Sequence, residues 1–246
     1  MTGNDDFVEY FKRFDSFSTA DIAEYFKRKE PELNQSTLNW RVFEMAKKGT
    51  IVRMSKGLFR INDGNVFKPI PDMNLLQVAK KVQNHFPEVG VCVWDTAILN
   101  SVSQHIVNHG MYIIEVEKDA AEPVFVFLRE KLANVYLNPT HEIVDNYLSP
   151  SIRKPYVIKN LLSESPWVEV KGVRMATMEK ILVDIYCDKT LHFAYQGHEM
   201  RRIFENCFEL MPINTTKLLR YASRRGKTEE MAEMIKPFIH KKRQYD

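Results

Sequence analysis

Cysteine is scarce. Cys92, Cys187 and Cys207 are the three among 246 residues, far apart and without a Cys-x-x-Cys pair. An odd, scattered set argues against a disulfide framework and points to a reducing, cytoplasmic setting, with each thiol a small buried hydrophobe. Gly-x-Gly does not occur, so neither a dinucleotide loop nor a phosphate cradle is supported, and no cofactor is expected. There is no Gly-x-Ser-x-Gly elbow, and Ser163, Glu164 and Ser165 have no base beside them in sequence. Long apolar runs are missing too. Val89–Trp94 and Pro123–Leu128 fall far short of the ~20 residues of a membrane helix, so no membrane association is expected. Met1–Asp6 is acidic and lacks an apolar stretch, unlike a secretory signal. Repeats and low-complexity tracts are absent. Charge of one sign is also lacking: the net formal charge is only +3, so only its distribution can announce a nucleic-acid partner.

What is present is an ordinary globular composition, 44% hydrophobic and 27% charged, in a chain long enough for one large or two modest domains. Asp63, Gly64, Asn65, Pro69 and Pro71 cluster between two patterned regions, and such clustering marks a linker. The pattern predicts a first domain over 1–62, a linker over 63–72 and a second domain over 73–246.

In the first domain, Phe7, Phe11 and Phe14 sit at helical spacing over Asp5–Phe14. Ser18 or Thr19 can cap a second helix with the apolar face Ile22, Ala23, Phe26. A third helix opens at Gln35 or Ser36, with Leu38, Val42, Met45 and Ala46 as its buried stripe and Gly49 at its end. Ile51–Met54 and Leu58–Ile61 flank Ser55-Lys56-Gly57 and read as a hairpin, with Gly57 in the left-handed conformation. Alternation turns Val52, Met54, Phe59 and Ile61 inward and Arg53 and Arg60 outward. Three helices followed by a hairpin is the order of a winged helix-turn-helix.

The second domain is expected to be α+β. Helices are predicted at Asn74–Phe86, Thr96–Ile106 (capped by Asp95), Pro123–Leu132 and His141–Leu148, although the run Val124-Phe125-Val126-Phe127 also suits a strand. Strands are predicted at Gly90–Trp94, Met111–Val116 and Val135–Leu137. Trp167–Val170 and Val173–Met175 form a hairpin around Lys171-Gly172. Thr177 caps a helix with the stripe Met178, Ile181, Leu182, Ile185, and helices fill the remainder. The fold class is thus a winged helix-turn-helix followed by a larger mixed α/β domain with a helical C-terminus.

Charge is unevenly placed along this frame. Residues 5–35 carry eight acids against five cations, whereas residues 36–61 carry six cations against Glu44 alone. The third helix and the hairpin are therefore the basic part of a nearly neutral domain, as phosphate neutralisation requires. At ~100° per residue, Ser36, Thr37, Trp40, Glu44 and Lys47 lie on or near the outer face of the helix, with Arg41 flanking it. Ser36 and Thr37 suit phosphate or base contacts, and Arg41 suits a bidentate guanine contact. Lys56 at the hairpin tip and Arg53 suit phosphate or the minor groove, and Lys47 and Arg60 complete the candidate DNA surface. Each of these cations could instead be a solvated surface charge, and Trp40 could mark a protein interface.

The stretches Phe17–Ala23, Ser36-Thr37-Leu38, Ala46–Arg53 and Lys56–Phe59 resemble the N-terminal domain of the AbiEi family. So does Val173–Asp184, similar to the family's hairpin followed by Ala-Thr-Pro-Glu-(Lys/Arg)-x-Leu-x-Asp, with Met178 at the family's proline. Ile213–Ala222 is similar to the family's C-terminal helix. These proteins are antitoxins and transcriptional regulators of abortive-infection, type IV toxin–antitoxin systems. The resemblance implies a non-enzymatic repressor of its own operon, binding double-stranded operator DNA. It also implies functional pairing with a nucleotidyltransferase-like toxin without a stable complex. Homodimer formation stays open.

Other chemistry is less well supported. Glu169-Val170-Lys171 is half of a restriction-type nuclease motif; it needs an upstream Asp, and a candidate such as Asp145 falls in a helix. His105 and His109 are four apart but lack further ligands nearby, so no metal site is expected. Residues 217–246 hold nine cations against four acids, a stretch that could extend a phosphate footprint or simply be solvated.

Overall fold

The computed structural model describes residues 3–14, 16–47, 50–55, 57–61, 69–104, 110–148, 153–211 and 213–242. The amino-terminal region runs α1 (Gly3–Phe11), β1 (Phe17–Ser18), α2 (Thr19–Lys29), α3 (Gln35–Lys47), β2 (Ile51–Ser55) and β3 (Leu58–Ile61). The strands form a small antiparallel sheet in the order β1-β3-β2. Phe7, Phe11, Phe17, Ile22, Tyr25, Leu38, Val42, Met45, Ile51, Phe59 and Ile61 close one hydrophobic cluster. The aromatic rings Phe7, Phe11, Phe17 and Tyr25 meet at its centre.

Local chemistry explains the helix starts. The Ser18 hydroxyl accepts from the Asp21 amide while the Asp21 carboxylate accepts from the Ser18 amide, a complete capping box. On α3 the cap is Asn34, whose side chain accepts from the Thr37 amide at 2.8 Å. It takes the place that the sequence assigns to Gln35 or Ser36, because the helix already opens at Gln35 and leaves Asn34 as the residue before it. The first helix ends at Phe11, and Phe14 beyond it is exposed. Tyr25 joins Ile22 on the buried face of α2, with Ala23 and Phe26 only partly covered.

The hairpin register pairs Ile51 with Ile61, Val52 with Arg60 and Arg53 with Phe59, with an irregularity between Arg53 and Ser55. Ile51 is buried, set opposite Ile61 by this register; the side chains of Val52 and Met54, which alternation turns inward, lie outside the described residues. Gly57 is left-handed, with φ +75°, and its carbonyl accepts from the Thr19 amide at 2.8 Å. The hairpin turn is thereby tied to the start of α2. Gly49 lies outside the described residues.

The larger region is mixed. Its order is α4 (Met73–His85), β4 (Val91–Asp95), a 3-10 turn (Thr96–Ser101), β5 (Tyr112–Val116), α5 (Ala121–Arg129), β6 (Val135–Leu137) and a short α6 (His141–Ile143) continued by a π turn. Then come β7 (Tyr156–Asn160), β8 (Trp167–Val170), β9 (Val173–Ala176), α7 (Met178–Cys187), α8 (His198–Leu210), α9 (Thr215–Arg224) and α10 (Thr228–Lys242). Six strands form one sheet in the order β6-β7-β5-β4-β9-β8. β4 is antiparallel to β5 and parallel to β9, and β7 is parallel to β5 and β6.

Both faces of the sheet are covered. Val91 and Val93 point to α4 and α5, while Cys92 and Trp94 point to α7 and the helices behind it. Strands covered on both sides read as unbroken apolar runs rather than alternating ones. Leu58 of β3 and Ile70 pack against the α7-side core, and β2 runs against the Thr96–Ser101 turn.

Three expectations are adjusted here. β7 is an interior strand of the sheet to which the pattern alone assigns no element, since its apolar centre is only Val157-Ile158. Thr96–Ile106 keeps only the six-residue 3-10 turn within the described residues, with Asp95 as its cap. The α7 stripe is incomplete: Glu179, Lys180, Val183 and Asp184 are buried as well, because α7 lies between the sheet and α8–α9.

Candidate functional site

Helix α3 turns Leu38, Val42 and Met45 into the small core. The opposite face must then carry Ser36, Asn39, Trp40 and Phe43, which recur at i, i+3, i+4 and i+7. All four are exposed, Trp40 by 62% and Phe43 by 61%. The Gln35 amide donates to Asn39 Oδ1 at 3.0 Å. Thr37 is half-buried, its amide engaged by Asn34.

Arg41 departs from this face. It lies half-buried between α3 and the end of α2. Its two terminal nitrogens donate to both oxygens of Glu30, at 2.9 and 2.8 Å. Its guanidinium also stacks 5.0 Å from the Phe26 ring centre. Hydrogen bonding from Arg41 holds the Glu30 carboxyl below its ordinary value. Bidentate geometry of this kind fixes a side chain in orientation as well as charge.

Of the predicted DNA residues, then, Ser36 and Trp40 share the outward side of α3, Thr37 is half-buried beside it, and Arg41 is turned towards α2. Arg60 is half-buried on β3, in register with Val52. Lys56 and the side chains of Lys47 and Arg53 lie outside the described residues. Sequence reasoning passed over Asn39, Phe43 and Glu30. The helical wheel that turns Trp40 outward turns Phe43 outward too; no spacing rule links Arg41 to Glu30, eleven residues earlier.

A second group of charges lies deep in the larger region. Lys180 on α7 is fully buried, with its Nζ 2.7 Å from Glu115 Oε1 on β5 and 2.5 Å from Asp184 Oδ2. The Tyr221 hydroxyl on α9 donates to Asp184 Oδ1 at 2.8 Å, and Arg225 approaches the same oxygen at 3.6 Å. Burial works to lower the Lys180 pKa, but Asp184 and Glu115 outweigh it and hold the ammonium well above its ordinary value. Burial pushes Glu115 up to about 7. It pushes the Cys92 thiol up as well, so no thiolate nucleophile forms there. The cluster thereby joins β5, α7 and α9 through charge and hydrogen bonds.

The remaining candidates are placed as follows. Glu169 and Lys171 are exposed at a hairpin turn, where Lys171 and Gly172 take φ +52° and +79°. Asp145 pairs with His141 at 2.8 Å. Among the described residues no group of three His, Cys, Asp or Glu side chains could hold a metal ion. His105 and His109 lie outside the described residues. In the basic C-terminal stretch, Arg220 and Arg224 both reach Glu164, Lys227 reaches Glu230 and Lys236 reaches Glu233. No helix among the described residues is long and apolar enough to cross a membrane.

Residues 37–241 match the family of unknown function DUF6577. The chain belongs to this family. The match begins in the first turn of α3 and ends on α10, so it takes in α3, the hairpin and the larger region of this chain. No curated protein matches the chain.

Proposed function

We propose that this DUF6577 protein is a cytoplasmic DNA-binding transcriptional regulator whose amino-terminal region is a winged helix-turn-helix. In this reading α3 enters the major groove of an operator and the basic hairpin segment lies along the phosphates. The observation that carries it is a coincidence of shape and charge. The order α1-β1-α2-α3-β2-β3, with sheet order β1-β3-β2, presents α3 on an open face, and residues 36–61 hold six cations against one acid. Cations gathered on one stretch supply the sequence-independent part of DNA affinity, and the outward residues of α3 supply the rest. The resemblance to the AbiEi family supports the wider role: repression of its own operon and antagonism of a nucleotidyltransferase-like toxin, without enzymatic activity of its own.

A gel shift with the DNA upstream of its own gene tests the reading. At physiological salt the upstream fragment should bind more tightly than a scrambled duplex of equal length; equal affinities overturn it. Exposure of Trp40 and Phe43 favours a second reading, docking of a protein on α3. Binding that survives loss of Arg53 and Lys56 but not of Trp40 would select that one.

A further inference from the structure

We infer that α3 reads A·T base pairs, through Asn39 and the Trp40–Phe43 aromatic pair, and that Arg41 is withheld from the bases by Glu30. The inference rests on the DNA-binding reading and adds to it the class of sequence recognised.

Among the described side chains the outward row of α3 is Ser36, Asn39, Trp40 and Phe43, and these four carry no charge. Guanine is most often read by an arginine fork on its O6 and N7. The α3 arginine has both terminal nitrogens on Glu30 and its flat face on Phe26, so that fork is occupied. What the row offers instead suits adenine and thymine. An asparagine amide can accept from adenine N6 and donate to N7. Gln35 donates to Asn39 Oδ1, which leaves one lone pair of that oxygen and both Nδ2 hydrogens for a base. Trp40 and Phe43 are apolar surfaces held in water at 62% and 61% exposure. In a major groove the apolar group that meets such a surface is the thymine methyl.

The test uses the purified full chain and a pool of duplexes with a randomised core. The selected cores should be rich in A·T pairs. Replacing thymine by uracil in the selected site removes only the methyl groups, and should weaken binding about fourfold per contacted methyl, the worth of one buried methylene. Phe43→Ala should abolish the thymine–uracil difference, and Asn39→Ala should relax the preference for adenine. Both side chains are exposed, and the uracil comparison needs no variant at all. G·C-rich cores, or equal affinity for thymine and uracil sites, overturn the inference and leave the DNA-binding reading standing. A Trp40→Ala, Phe43→Ala double variant that turns a dimer into a monomer with unchanged selection assigns the face to a second copy, and likewise overturns it. Binding to no duplex at low salt overturns both.

Discussion

The ammonium of Lys180 and the carboxylate of Glu115, 65 residues apart in sequence, meet at 2.6–2.7 Å in the middle of the larger region. One comes from a helix and the other from a sheet strand, and Asp184, one turn along α7, closes the group from the other side. A lysine with no solvent exposure persists only because both carboxylates face it.

Lys180→Met should therefore be severely destabilising. It leaves Glu115 and Asp184 buried without their cation, and breaking a buried pair in this way costs about 3–5 kcal/mol. Urea unfolding monitored by tryptophan fluorescence checks it. Adding Glu115→Leu to the same chain should recover part of the loss, since one orphaned charge is then gone.

Two buried groups set opposite pH slopes. Burial holds His192 down to about 4, against ~6.5 in an unfolded chain. Between those values only the unfolded chain is protonated, so stability is lost as pH falls through this window, by on the order of 3 kcal/mol in full. Glu115 is pushed up to about 7, against ~4.3 unfolded. Its proton belongs to the folded state in that window, so its contribution fades as pH rises through it. Glu115→Gln should steepen the loss on acidification. His192→Gln should leave a stability that declines from about pH 4.5 to 7. Denaturation midpoints across that range decide between these slopes and none.

Ser18→Ala removes half of the capping box on α2. The expected cost is about 1 kcal/mol, read as a lower thermal midpoint with an unchanged larger region.

Glu30→Gln keeps the shape of the Arg41 partner but removes its charge. Arg41 is then free to approach DNA. The selected duplex cores should gain guanine, and the logarithmic dependence of affinity on salt should steepen by about one unit if Arg41 settles on a phosphate. Unchanged cores and slope would show that Arg41 never reaches the DNA.

The small amino-terminal fold was readable because its determinants are local. Ser18 and Asp21 cap α2 within one turn, Gly57 marks a two-strand turn, and Leu38, Val42 and Met45 repeat at the helical period. β7 was not readable, since its apolar stretch is too short, centred on Val157-Ile158 and followed by Lys159 and Asn160, and does not alternate. The outward row of α3 was half legible: Ser36 and Trp40 followed from the wheel, whereas the turning of Arg41 towards α2 depends on a contact from another helix.

The amino-acid order by itself determined the cap of α2 at Ser18, the apolar stripe of α3, the hairpin turn at Gly57, and that cations gather between residues 36 and 61. Those properties arise from neighbours a few positions apart. Tertiary structure alone decided that Arg41 is spent on Glu30 and that Lys180, Glu115, Asp184 and Tyr221 share one buried network. Each such pairing joins separate elements, and only the packing of those elements brings the charges within reach and removes the water that would otherwise have weakened them.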